Sequence, residues 1–245
     1  DRRVVSIRDQ LQRLGGESLV YGLGQVSGRA VNLLLVPVLT RVLDRDAFGL
    51  NDLLLGYSQS AILVLVFGMD AALARFFYDE PDREARVRMV SSSFAFRLAL
   101  GGAVAAALAL AAPWLAEHVV GGAAYAKYLR IAALTLPFTL FGLFANDVLR
   151  VTFQPWKFAA LNDAQTVAVG GLTLWFVVGR DAGVVGALYG KLGGDALAAL
   201  TGFALCRHHL RPRFAPATLR RMIAFGAPLV PVAFAYGLVG TLDRW

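Results

Sequence analysis

The chain has 245 residues, 57% of them hydrophobic and 17% charged, with a mean hydropathy of +0.58. A soluble domain carries about 25% charged residues and disperses its apolar ones, so a composition this apolar, gathered in long blocks, excludes an ordinary soluble globule and marks an all-α, polytopic membrane helix bundle. The net charge of +7 does not point to nucleic acid, because the arginines lie in short connections between apolar blocks, and the single Cys206 excludes an internal disulfide.

Seven blocks reach the roughly 20 apolar residues that a helix needs to cross the hydrocarbon layer. They cover about 17–41, 47–69, 92–116, 128–149, 158–179, 184–205 and 222–243. Connections such as "DRDAF" and "GRDAG" leave no room for a folded extramembrane domain. Ahead of the first block, "SIRDQLQRLGGESLVYG" fits either a short amphipathic helix at the interface or a plain positively charged topology signal. The first block is too long for the apolar region of a cleavable signal peptide. The chain starts at Asp1 and stops at "TLDRW", next to an apolar block, and is read as part of a longer protein.

Lysines and arginines divide unevenly between the two ends of the blocks. One end holds the N-terminal arginines, Arg75, Arg83, Arg86, Arg88, Arg150, Lys157 and the arginines of "RHHLRPRFAPATLRR". The other holds Arg41, Arg45, Lys127, Arg130 and Arg180. The positive-inside rule makes the first end cytoplasmic, with the N-terminus inside and the seventh block ending outside.

Charged groups inside a bilayer cost about 2.5–3.5 kcal/mol each on insertion scales, so they face protein interior or water. In the first block Gln25, Arg29 and Asn32 fall at i, i+4 and i+7 on one stripe, beside the Gly24–Gly28 pair. Asp52, Gly56 and Gln59 line one side of the second. Arg97 lies near enough to the start of the third block to snorkel, and the "SSSF" run at Ser91 reads as its N-cap. Asn146, Asp147, Asn162 and Asp163 fall near the cytoplasmic ends of the fourth and fifth blocks. Lys191 and Asp195, at i, i+4 in the sixth block beside Gly186, Gly190 and Gly194, either neutralise each other or face a cavity. In the seventh block Pro228 and Pro231 each remove a backbone donor, and a helix break there frees carbonyls for a cavity lining.

The mid-depth group of Arg29 and Lys191, with Gln25, Asn32, Gln59 and Asp195 around it, suits an anionic substrate. No nucleotide-binding loop, nucleophile elbow or zinc-ligand spacing is present in the sequence, so no cofactor, metal or catalytic residue is expected.

Three segments carry a family likeness. "LLLVPVLTRVLDRDAFGLNDLLLG", with Pro37, Arg41, Leu43, Phe48 and Gly49, resembles the first connection of bacterial polysaccharide flippases, the Wzx-like exporters of the MOP superfamily. "FGMDAALARFFYDE", with Gly68, Arg75 and Phe76, is similar to their second-helix end, and "GAPLVPVAFAYGLVGTLDR", closing on Asp243 and Arg244, to their seventh helix. The resemblance implies two six-helix lobes, twelve to fourteen helices in all. The chain would then comprise a cytoplasmic segment (1–16), the N-terminal lobe (17–206), a basic inter-lobe loop (207–221) and the first helix of the second lobe (222–245). It also implies a non-enzymatic function in a bacterial inner membrane, the flipping of undecaprenyl-pyrophosphate-linked oligosaccharide, alongside a polysaccharide polymerase and glycosyltransferases. In that function Arg29, with Lys191 second, would attract the pyrophosphate. A drug/cation antiporter using Asp195 or Asp52, and a membrane enzyme acting on the same lipid carrier, are the competing readings.

Overall fold

The computed structural model describes residues 33, 35–211 and 214–235. Gln25, Arg29, Asn32 and the amphipathic segment before them lie outside the described residues, as do Asp243 and Arg244. Helix α1 is described over 35–42; α2 is Arg45–Leu65, α3 Met69–Asp79 and α4 Arg83–Leu115. A π turn (Ala116–Val120) and a 3-10 turn (Ala123–Tyr125) lead to α5 (Ala126–Val151), followed by α6 (Pro155–Val177) and α7 (Gly183–Cys206). After a 3-10 turn at Arg207–His209 comes α8, Pro216–Gly226, then a 3-10 turn at Ala227–Leu229 and helical residues 230–235. No strand occurs among the described residues. The chain is a polytopic helical membrane bundle.

Local chemistry moves several helix ends away from the apolar blocks. Asp82 caps α4, accepting from the Glu84 and Ala85 amides at 3.2 and 2.9 Å, so that helix starts at Arg83 and not at the serines. Ser91, Ser92 and Ser93 are therefore buried within α4, not at its cap. Asp44 caps α2 through the Ala47 amide at 2.8 Å, and Pro155 and Pro216 occupy first-turn positions of α6 and α8, where a missing donor costs nothing. The start at Pro216 places helix inside the segment read as the inter-lobe loop.

Helix α2 stops near the end of the second block and α3 starts beyond it, because Phe67 and Gly68 have φ of 55° and 64°. Only glycine takes that conformation freely. A Cβ on Gly68 would also lie 2.8 Å from the Gly226 Cα, so the end of α8 rests backbone to backbone on this corner.

Four helical stretches are long and apolar enough to cross a membrane: Arg45–Asp79, Arg83–Val120, Ala123–Val151 and Pro216–Ala235. Helices α6 and α7 match them in length, at about 35 Å for a rise of 1.5 Å per residue. They fall short in hydropathy because they carry Asn162, Asp163, Gln165, Lys191 and Asp195. Helices α6 and α7 make the most extensive helix–helix contact of the bundle, and α5 packs against α7.

The largest apolar cluster sits at the end where α3, α5 and α7 finish, built on Met69, Leu73, Phe144, Leu149, Leu161 and Met222. Outside, Leu110, Val167 and Leu200 are more than 60% exposed, as lipid-facing side chains are. Trp114, Trp156 and Trp175 are exposed near helix ends, where interfacial tryptophans collect.

Close approach of α6 and α7 depends on the glycine ladder. A Cβ at Gly190 would lie 2.5 Å from the Thr173 nitrogen, one at Gly194 2.6 Å from that of Val169, and one at Gly186 3.0 Å from the Phe176 carbonyl carbon. Backbone atoms cannot step aside as side-chain ends do. Gly190→Leu is therefore expected to cost at least the ~1–3 kcal/mol of ordinary overpacking, read as a lower unfolding temperature of the solubilised protein. Gly171→Leu on α6, where nothing lies within 4 Å of the added Cβ, should leave that temperature unchanged.

Candidate functional site

Three helices converge on one carboxylate. Asp195 of α7 is 1% exposed, and its Oδ1 accepts from the Gln165 amide of α6 at 2.8 Å. Its Oδ2 accepts from the Thr139 hydroxyl of α5 at 2.6 Å and from Lys191 Nζ, one turn back on α7, at 2.9 Å. The helical spacing aligns Lys191 with Asp195, while the glycines beside them bring α6 close enough for Gln165 to reach across. Along the same faces of α5 and α6, Asn146 and Asn162 exchange amide hydrogen bonds at 3.1 and 3.0 Å, extending the polar seam toward the basic end.

Lys191 is held differently from its partner. Its side chain is 26% exposed. An ammonium has three N–H donors, and Asp195 takes one of them; among the described residues the other two have no partner. The pair therefore fixes a lysine head at mid-helix with donors to spare on its open side.

A second buried ion pair lies between α4 and α5. Arg97 Nη2 donates to Asp147 Oδ2 at 2.8 Å, and Arg150 reaches Oδ1 of the same carboxylate at 2.9 Å. Arg97 is 2% exposed, and its guanidinium carbon stands 5.8 Å from the Phe144 ring centre. The expected snorkelling does not occur: α4 begins well before its apolar block, which places Arg97 deep in the bundle with Asp147 as its counter-charge. Arg97 Nε and Nη1, and Ser93 Oγ one turn earlier, are buried without a hydrogen-bond partner among the described residues.

The site residues expected from sequence thus separate. Lys191 and Asp195 are together, as each other's partners. Gln59 lies exposed on α2. Pro228 lies in the 3-10 turn that interrupts the seventh block, and its ring cannot donate to the Ala224 carbonyl; Pro231 follows where helix resumes. Gln25, Arg29 and Asn32 lie outside the described residues. Among the described residues, Lys191 and Arg97 both meet a carboxylate. Thr139 and Gln165 were missed by the sequence reading, since neither hydroxyl nor amide stands out in an apolar helix without knowledge of which helices touch. Among the described residues no group of three or more His, Cys, Asp or Glu side chains is placed to hold a metal ion.

Removing one member of a buried pair strands the other at a cost of about 3–5 kcal/mol, while replacing both with apolar groups costs far less. Arg97→Met alone is expected to destabilise the solubilised protein by that amount. Arg97→Met with Asp147→Leu should recover most of the loss, giving a coupling energy in a double-mutant cycle of unfolding midpoints.

The same arrangement of helices occurs in solved MOP superfamily structures. One is a transporter from Pyrococcus furiosus, described as having a binding pocket of reverse polarity that suggests a different function; another is a multidrug resistance MATE family transporter in an outward-facing conformation. Each superposes with a TM-score of 0.72 at 16% identity, over 93% of this chain and 54% of the other. The chain thus spans about half the length of these structures, and at such identity the likeness is one of fold. An uncharacterized membrane protein of Haemophilus influenzae is 29% identical over 86 residues, 35% of this chain and 21% of that one. The family model described as "Polysaccharide biosynthesis protein" matches residues 14–245, nearly the whole length, and the chain belongs to that family.

Proposed function

We propose that the chain forms the first lobe, and the first helix of the second, of a transporter that flips undecaprenyl-pyrophosphate-linked oligosaccharide across a bacterial inner membrane. Family membership supports the polysaccharide side of this reading, and the MOP fold supports alternating access between two lobes. The geometric observation that carries it is the half-open lysine: Lys191, fixed by a buried carboxylate, has two donors without a partner among the described residues, available for phosphate or sugar oxygens at the depth where a lipid-linked headgroup must pass. Arg29 attracts the pyrophosphate, and Gln25, Asn32 and Gln59 supply hydrogen bonds. The polyprenyl tail stays in lipid. The interruption at Pro228 provides a place for the lobes to bend. The basic end of the bundle faces the cytoplasm, where glycosyltransferases build the substrate before the transfer; a polymerase acts on it afterwards on the far side, and no covalent step takes place on the chain itself.

The drug/cation antiporter reading needs a carboxylate free to exchange its cation. Asp195 is already occupied by Lys191, Thr139 and Gln165, which disfavours it.

A charge-assisted hydrogen bond contributes about 1.5–3 kcal/mol, or roughly tenfold or more in binding. Arg29→Ala and Lys191→Ala are each expected to cut glycan export by at least that factor per molecule of folded protein in the membrane, in cells making the full-length protein; Lys191→Ala also lowers the amount of folded protein, because it strands Asp195. Normal export by both variants removes these residues from the mechanism. Drug resistance conferred without glycan export points to the antiporter, and turnover of a lipid-linked sugar by purified protein points to an enzyme.

A further inference from the structure

The mid-membrane seam leaves one strongly charged feature of the bundle unexplained. At the basic end, the first turns of α4 and the connection from α7 to α8 enclose a pocket of about 220 Å³ lined by Arg83, Glu84, Val87, Arg88, His208 and Arg211. Its walls are fixed in place. The Arg211 amide donates to Ser91 Oγ at 2.9 Å and the Ala215 amide to Ser92 Oγ at 2.9 Å, so the connection is pinned on two hydroxyls buried inside α4. A topology signal needs only positive charge in a loop; it does not need that loop tied down so that its arginine faces two others across a hollow.

The charge in the pocket is unbalanced. Arg88 reaches Asp82 and Glu84, both at 3.6 Å, whereas Arg83 and Arg211 have no ion pair among the described residues. The half-buried His209 stands beside the pocket: burial first, then the charges of His208, Arg83 and Lys157, hold its pKa below the ordinary histidine value. Guanidinium groups converging on a small fixed hollow are the arrangement that grips phosphate oxygens in pairs, and basic pockets between helices at a membrane face take anionic headgroups.

We propose that this pocket is a phosphate-binding site, filled by the headgroup of an anionic phospholipid in the adjoining leaflet or by a soluble phosphate. It is separate from the Lys191–Asp195 seam, and it does not depend on the flippase reading. A bound phosphate bridges the start of α4 and the α7–α8 connection, adding an ionic tie to the two serine hydrogen bonds.

The test uses the full chain in nanodiscs of phosphatidylcholine, with and without phosphatidylglycerol, and with inorganic phosphate added to the phosphatidylcholine discs. Retained lipid is counted by native mass spectrometry, and the titration midpoint of His209 is followed by NMR. A bound anion offsets the neighbouring cations, so the midpoint is expected to rise. A rise with phosphatidylglycerol alone identifies the lipid source; a rise with inorganic phosphate identifies the soluble one. Arg83→Gln with Arg211→Gln should abolish the rise and cut anion retention about tenfold or more, while Arg83→Lys with Arg211→Lys keeps most of both. Should the double glutamine variant fold poorly, Arg83→Gln alone takes its place in the comparison. An unmoved midpoint in every disc overturns the proposal. So does a rise that the glutamine variant shows equally, which is the general surface potential of an acidic bilayer.

Discussion

Ionised side chains set inside a lipid-embedded bundle must find their counter-charges on other parts of the protein, and this constraint organises much of what surrounds them. Asp195 meets it with donors from α5, α6 and its own helix; Asp147 meets it with Arg97 from α4 and Arg150 from α5. Each carboxylate therefore also works as a clamp. Unclamping either would leave a charge in a low-dielectric interior, at a cost that exceeds most single packing contacts. The bundle's specificity of helix pairing rests on these two nodes together with the glycine ladder that lets α6 and α7 approach.

That approach explains how two long helices with polar residues near mid-length come to make the most extensive contact of the bundle. A helix carrying Asn162, Asp163 and Gln165 has a weak hydropathy signature, and so does one carrying Lys191 and Asp195. Set against each other across Gly186, Gly190 and Gly194, they turn part of that polarity inward, and the Asn146–Asn162 amide pair continues the same seam toward the basic end. Lipid-facing sides keep Val167, Leu174, Leu197 and Leu200 exposed. Polarity within a membrane helix reads as weakness in sequence and acts as glue in the fold.

How much could be read from the residues follows from the distance over which each signal acts. Hydropathy is local, so the blocks located the helices; the spacing of Lys191 and Asp195 and of the small residues beside them is also local, and both pairings follow from a single helical repeat. Capping chemistry lies just outside the apolar runs, which is why α4 starts at Arg83, capped by Asp82, and its serines are interior. Arg97 and Asp147 are 50 residues apart, and Thr139 and Asp195 are 56. Nothing in a single sequence ties such residues together, so Arg97 was read as an interfacial arginine and Thr139 not at all.

The meeting of Gly68 with Gly226 has a mechanical meaning. Where two elements touch through side chains, there is slack: rotamers turn and the gap can narrow. Here main chain meets main chain, with no compressible layer between. Helix α8 can swivel on the α2–α3 corner or lift away from it, but it cannot be pushed further in, so the joint behaves as a bearing with a hard stop.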